Sequence, residues 1–141
     1  MNDLRLVERA IGLLTGRGVP AWVFGGWAEE LLGLAPPRVH ADVDLLVAAD
    51  DWSAVDALLE ELDEVRAKHF AHKRAFVLDG VMVELFLVQR DDDSPFTTFW
   101  GERRDWPADT LDDDGPLPVA SAAAVAGYRA RHPQRPAPLA A

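Results

Sequence analysis

The chain has 141 residues, 49% of them apolar, enough for one core without metal or disulfide staples and too few for a second domain of ordinary size. It has no cysteine, which excludes a disulfide framework, a zinc ribbon and a thiol nucleophile, and this composition leads us to expect a cytoplasmic protein. The net charge of −10 opposes binding to nucleic acid and favours a cationic small molecule by long-range attraction.

In chain order, residues 2–16 carry Leu4, Val7, Ile11 and Leu14 at helical spacing, with Asn2 or Asp3 as the cap. The same stretch mixes both signs of charge, unlike a secretory signal. No apolar run anywhere reaches the roughly 18 residues a membrane helix needs, so no membrane association is expected. Residues 20–24 are a bulky apolar run of strand length, closed by Gly25-Gly26. A short helix is expected from Trp27 to Leu32, and Pro36-Pro37 then enforces an extended loop. Residues 42–47 alternate, with Asp42, Asp44 and Leu46 on one face and Val43, Leu45 and Val47 on the other.

Asp50 or Asp51 caps a third helix to about Leu62, with Trp52, Val55, Leu58 and Leu59 as its apolar stripe. Strands are expected at 66–70 and 74–78, and Asp79-Gly80 is a two-residue hairpin turn into a strand over 81–88. Residues 91–95 read as a loop, 96–100 as a short strand, and the Asp- and Gly-rich stretch to Gly115 as another loop. A last helix covers about 121–131. The Pro-rich tail 132–141 is expected to be flexible. The order implies an α/β fold, a mixed sheet flanked by helices, within a single domain over 1–131.

Three acids stand out. Asp42 and Asp44 share a face of one strand, where two carboxylates repel unless a cation lies between them. Glu84 interrupts an otherwise apolar strand, and a lone carboxylate there needs a cation or a donor. A divalent ion such as Mg²⁺ or Mn²⁺ satisfies all three and keeps open positions for phosphate. The alternative pairs Glu84 with an Arg or Lys and leaves the two aspartates as exposed edge acids. Gly25 and Gly26 let the backbone approach a phosphate, and Arg38 can contact one bidentately or instead pair with Glu29 or Glu30. His40 shares the strand parity of the two aspartates.

Of the tryptophans, Trp22 and Trp52 fit the core, whereas Trp100 and Trp106 lie among charged neighbours and suit an acceptor site or an interface. His69 and His72 read as a solvated turn, and Asp112 to Asp114 as a solvated loop.

The stretch from Phe24-Gly25-Gly26-Trp27 to Arg38-Val39-His40-Ala41-Asp42-Val43-Asp44 resembles the nucleotidyltransferases of the DNA polymerase β-like superfamily. Within it the likeness is greatest to the branch of aminoglycoside and lincosamide adenylyltransferases. It covers about residues 20–90. The resemblance implies transfer of a nucleoside monophosphate from an NTP, often ATP, to a hydroxyl of a small acceptor. It implies that Gly25, Gly26, Trp27, Arg38 and His40 serve the nucleotide and that Asp42 and Asp44 ligate Mg²⁺. Glu84 would be a third ligand or the base. Toxin-linked members acting on protein or RNA, and a non-catalytic nucleotide-binding regulator, are the alternatives. Many members have Gly-Ser in place of Gly25-Gly26, and most continue into a helical second wall for the acceptor, for which little chain remains here. Phe96, Phe99, Trp100 and Trp106 therefore suggest a homodimer formed through residues 94–107, the alternative being that they fold back to cover one face of the chain's own sheet.

Overall fold

The computed structural model describes residues 2–92 and 94–133. Its elements are α1 (Leu4–Thr15), β1 (Ala21–Phe24), α2 (Gly25–Leu31), β2 (Asp42–Ala48), α3 (Ser53–Leu59) and β3 (Asp63–Glu64). They continue with β4 (Lys73–Leu78), β5 (Val81–Asp91), β6 (Ser94–Phe99), β7 (Glu102–Asp105) and α4 (Ala122–Arg131). The strands form one mixed sheet in the order β1-β2-β5-β4-β3, with β6 on the far end of β5 and β7 beyond it. Among the named strands of the described residues, β2 and β5 run parallel and the other pairs are antiparallel.

The α1 helix starts at Asp3, whose side chain accepts the Leu6 N–H. It buries Leu6, Val7, Ala10, Ile11 and Leu14, while Leu4, expected on that stripe, is exposed. The core face is rotated by part of a turn, and Leu6 and Ala10 take the place assigned to Leu4. In α3 the stripe of Val55, Leu58 and Leu59 is buried, with Trp52 ahead of it, as expected. The helix is shorter at both ends: Asp51 caps Ser53, and Leu62 already closes a tight turn on Leu59.

Other differences from the sequence expectation lie in the strands. Residues 66–70 are not a strand. β3 is only Asp63–Glu64, and Arg66–Lys68 form a 3-10 turn, because Arg-Ala-Lys offers no β-branched or aromatic side chain to pack on a sheet. The loop expected at 91–95 is a tight turn with Asp92 at φ 54°, so β5 and β6 make a hairpin. The strand β7 went unseen because all four of its residues are exposed and charged; its pairing to β6 alone makes it a strand.

The hairpin over residues 94–107 folds back on the chain's own sheet. Trp106 packs edge-on against Phe24 at 5.4 Å, and its Nε1 donates to Thr97 Oγ1 at 2.8 Å. Most of the aromatic surface that suggested a dimer is thus used internally, with Trp100 the exception. Residues 118–120 cover the outer edge of β1 through Val23 N–H to Pro118 O and Ala120 N–H to Val23 O. The following helix, α4, is anchored across the sheet end by Arg129, which grips Glu29 of α2 at 2.6 Å. Helix α4 thus packs on α2 over the sheet end. Of the expected Pro-rich tail, residues 134–141 lie outside the described residues. No described helix is long and apolar enough to cross a membrane.

Candidate active site

The register between β2 and β5 sets Asp44 directly beside Glu84. Both side chains emerge at the end of the sheet that α2 and α4 overhang, in a cavity of about 420 Å³. Gly25, Glu29, Lys73, Tyr128 and Arg129 also line it. Burial above all, then the charge of Glu84, pushes the Asp44 acid up to about 8. Asp42, two residues earlier and exposed, is raised by partial burial and then by Glu84.

Glu84 has cationic partners of its own. Lys73 Nζ lies 3.1 Å from Oε2 and Lys68 Nζ 3.8 Å from Oε1. The salt-bridged alternative read from the sequence is therefore present for Glu84. Among the described residues no three His, Asp or Glu side chains stand together as a ready-made ligand set. The donor set nevertheless suits a hard divalent ion. Two adjacent carboxyls, with a third acid two residues away on the same strand, form an array whose repulsion a cation relieves.

Gly25 directly follows β1 at φ 61°, and a Cβ built on it would lie 2.1 Å from Asp44 Oδ2. Only glycine lets this backbone touch the carboxyl. Helix α2 begins at Gly25 itself, so there is no separate Gly-Gly loop. Gly26 serves a different neighbour. A Cβ there would meet Arg38 Nη2 at 2.6 Å and His40 Nδ1 at 3.0 Å.

The remaining expected site residues gather beside the cavity instead of lining it. Arg38 reaches Glu29 at 3.8 Å, and its backbone N–H donates to Glu30 at 3.0 Å. His40 is buried, 3.0 Å from Glu30 Oε1, beneath the Trp27 ring at 4.2 Å. Trp27 is itself buried and donates to Asn2 Oδ1 at 2.9 Å. This cluster fixes the segment that delivers Asp42 and Asp44.

Sequence reasoning missed Lys73, Tyr128 and Arg129. His72, expected in solvent, is buried against Phe99 and lines the cavity, and burial lowers its pKa. His69 is the surface residue of that pair, 2.7 Å from Glu64. Asp113 is more than solvated loop, since its carboxylate accepts the N–H groups of Gly115 and Val119.

No family model matches the chain, and no curated protein matches it in sequence. Solved structures do. The lincosamide antibiotic adenylyltransferase LnuA, bound to lincomycin, superposes with a TM-score of 0.68 at 18% identity over 84% of this chain and 80% of that one. ANT(2'')-Ia in complex with adenylyl-2''-tobramycin gives 0.62 at 18% identity, over 92% and 76%. The fold is that of nucleotidyltransferases. The resemblance read from the Gly-Gly-Trp and Asp-x-Asp segments is borne out at that level, as a mixed sheet flanked by helices.

Proposed function

We propose that this chain is a metal-dependent nucleotidyltransferase, moving a nucleoside monophosphate from an NTP, with ATP as the expected donor, to a hydroxyl of a small acceptor. The observation that carries this reading is the Asp44–Glu84 pair, set side by side by strand register and abutted by the bare backbone of Gly25. Asp42, Asp44 and Glu84 are the residues that would hold Mg²⁺ or Mn²⁺. Such an ion supplies charge stabilisation at the attacking and leaving oxygens of an in-line displacement.

The chain's own residues do the rest. Gly25 admits phosphate oxygens close to Asp44. Glu84, ion-paired with Lys73 and Lys68, would be either a third ligand of that ion or the base that takes the acceptor's proton as its oxygen attacks the α-phosphorus. The bond to the bridging oxygen then breaks, and pyrophosphate leaves with the displaced charge. Tyr128 and Arg129 line the cavity from α4.

The acceptor is expected to be a small hydroxylated compound, as for the lincosamide and aminoglycoside enzymes of like fold. The net charge that favoured a cation acts at long range. At the site Glu29, Asp44 and Glu84 are matched by Lys68, Lys73 and Arg129. With labelled ATP and Mg²⁺, lincomycin, tobramycin, protein and RNA are the acceptors to compare. Label on an antibiotic supports the reading. Label on protein or RNA alone supports the toxin-like alternative, and nucleotide binding without transfer supports a regulator.

A further inference from the structure

One cavity residue is left largely outside the core. Trp100 sits at the tip of the β6–β7 hairpin and is 73% exposed. It occupies the first of two turn positions with positive φ, 53° here and 82° at Gly101. That conformation suits Asn or Gly and is strained for a bulky side chain. Each of the other four tryptophans donates its indole N–H to a protein acceptor, at Asp113, Asn2, Ala71 and Thr97. Among the described residues, that of Trp100 has none. The ring is still fixed in place, edge-on to Phe70 at 4.7 Å and to His72 at 4.9 Å, on the rim of the cavity.

Strand order tells which substrate it meets. Across the sheet, β1, β2, β5 and β4 bring Gly25, Asp44, Glu84 and Lys73 to the cavity in that sequence. If phosphate lies at Gly25, the hydroxyl reaches Glu84 from the β4 side, where Phe70, His72 and Trp100 stand. Lys68 and Lys73 occupy the same flank, so it does not welcome several ammonium groups. The geometry points to Trp100 as a specificity-determining residue that stacks on a ring of the acceptor and selects hydroxylated ring compounds of low positive charge. This rests on the function proposed above.

The test uses lincomycin as acceptor, ATP with Mg²⁺ as donor, and Trp100→Gly, which removes the ring and relieves the turn. The variant should melt at or above the wild-type temperature. Its KM for lincomycin should rise roughly tenfold with the KM for ATP unchanged. In the wild type, lincomycin should shield the exposed indole from acrylamide quenching, and tobramycin, a polyamine, should do so less. An unchanged KM for lincomycin, a raised KM for ATP instead, or shielding by nucleotide alone overturns the inference. So does wild-type protein that binds neither antibiotic. Only if ATP with Mg²⁺ also fails to raise the melting temperature does the proposed function fall with it.

Discussion

Gly25→Ala perturbs the contact on which the site is built. The added methyl would lie 2.1 Å from Asp44 Oδ2, 2.9 Å from its Cγ and 3.0 Å from its Cβ. Ordinary contact requires the carboxyl to retreat by about 1 Å, a misplacement large enough to cost roughly 100-fold in rate at a reacting centre. The backbone at φ 61° adds about 1–2 kcal/mol for any L side chain, and crowding beside the buried pair adds about 1–3 kcal/mol. The variant should therefore lose roughly 2–5 kcal/mol in urea unfolding and at least about 100-fold in pyrophosphate release. Gly26→Ala is the control. Its methyl meets the end of the Arg38 side chain at 2.6 Å, φ there is not positive, and a flexible guanidinium can swing away. It should cost less on both measures. A Gly25→Ala protein with near wild-type turnover, or one less damaged than Gly26→Ala, would refute the close approach of backbone to carboxyl as the reason for the glycine.

Two further outcomes follow from the same pair. Asp44 holds its proton to about pH 8 in the folded, metal-free protein, against an ordinary value of 3.8, so the folded state binds the extra proton between those limits. Metal-free stability must then fall as pH rises from about 4 to about 8, and Asp44→Asn should flatten that fall in thermal melts across the range. A wild-type profile as flat as the variant's would show that the carboxyl ionises normally. Lys73→Met removes a charge that lowers the Asp44 acid and partners Glu84, so the decline should extend to higher pH. An unaltered profile would mean that Lys73 is screened from the pair.

The sequence made the motif strands and α1 legible because each has a periodic apolar face that must be buried. It marked Asp44 and Glu84 because a carboxylate among apolar strand residues is costly without a partner. The cation beside Glu84 was within reach as well: the Asp79-Gly80 turn fixes the β4–β5 register, which pairs Ala75 with Glu84 and puts Lys73 one diagonal step away. Nothing local announced β7, whose exposed charges carry no alternation, or the return of α4, whose Arg129 reaches Glu29 a hundred residues away in sequence. His72 was misread because its burial comes from Phe70, Phe99 and Trp100, which approach through the turn and the distant hairpin.

The most direct test is calorimetric titration of ATP into the wild-type protein and Asp44→Asn, each with and without Mg²⁺. In the wild type, nucleotide binding should be saturable and depend on Mg²⁺, with a proton released on loading that appears as a buffer-dependent heat. Both features should be lost in the variant. Nucleotide bound equally well by Asp44→Asn, or bound by the wild type without regard to Mg²⁺, would contradict a metal-holding carboxylate pair at this site.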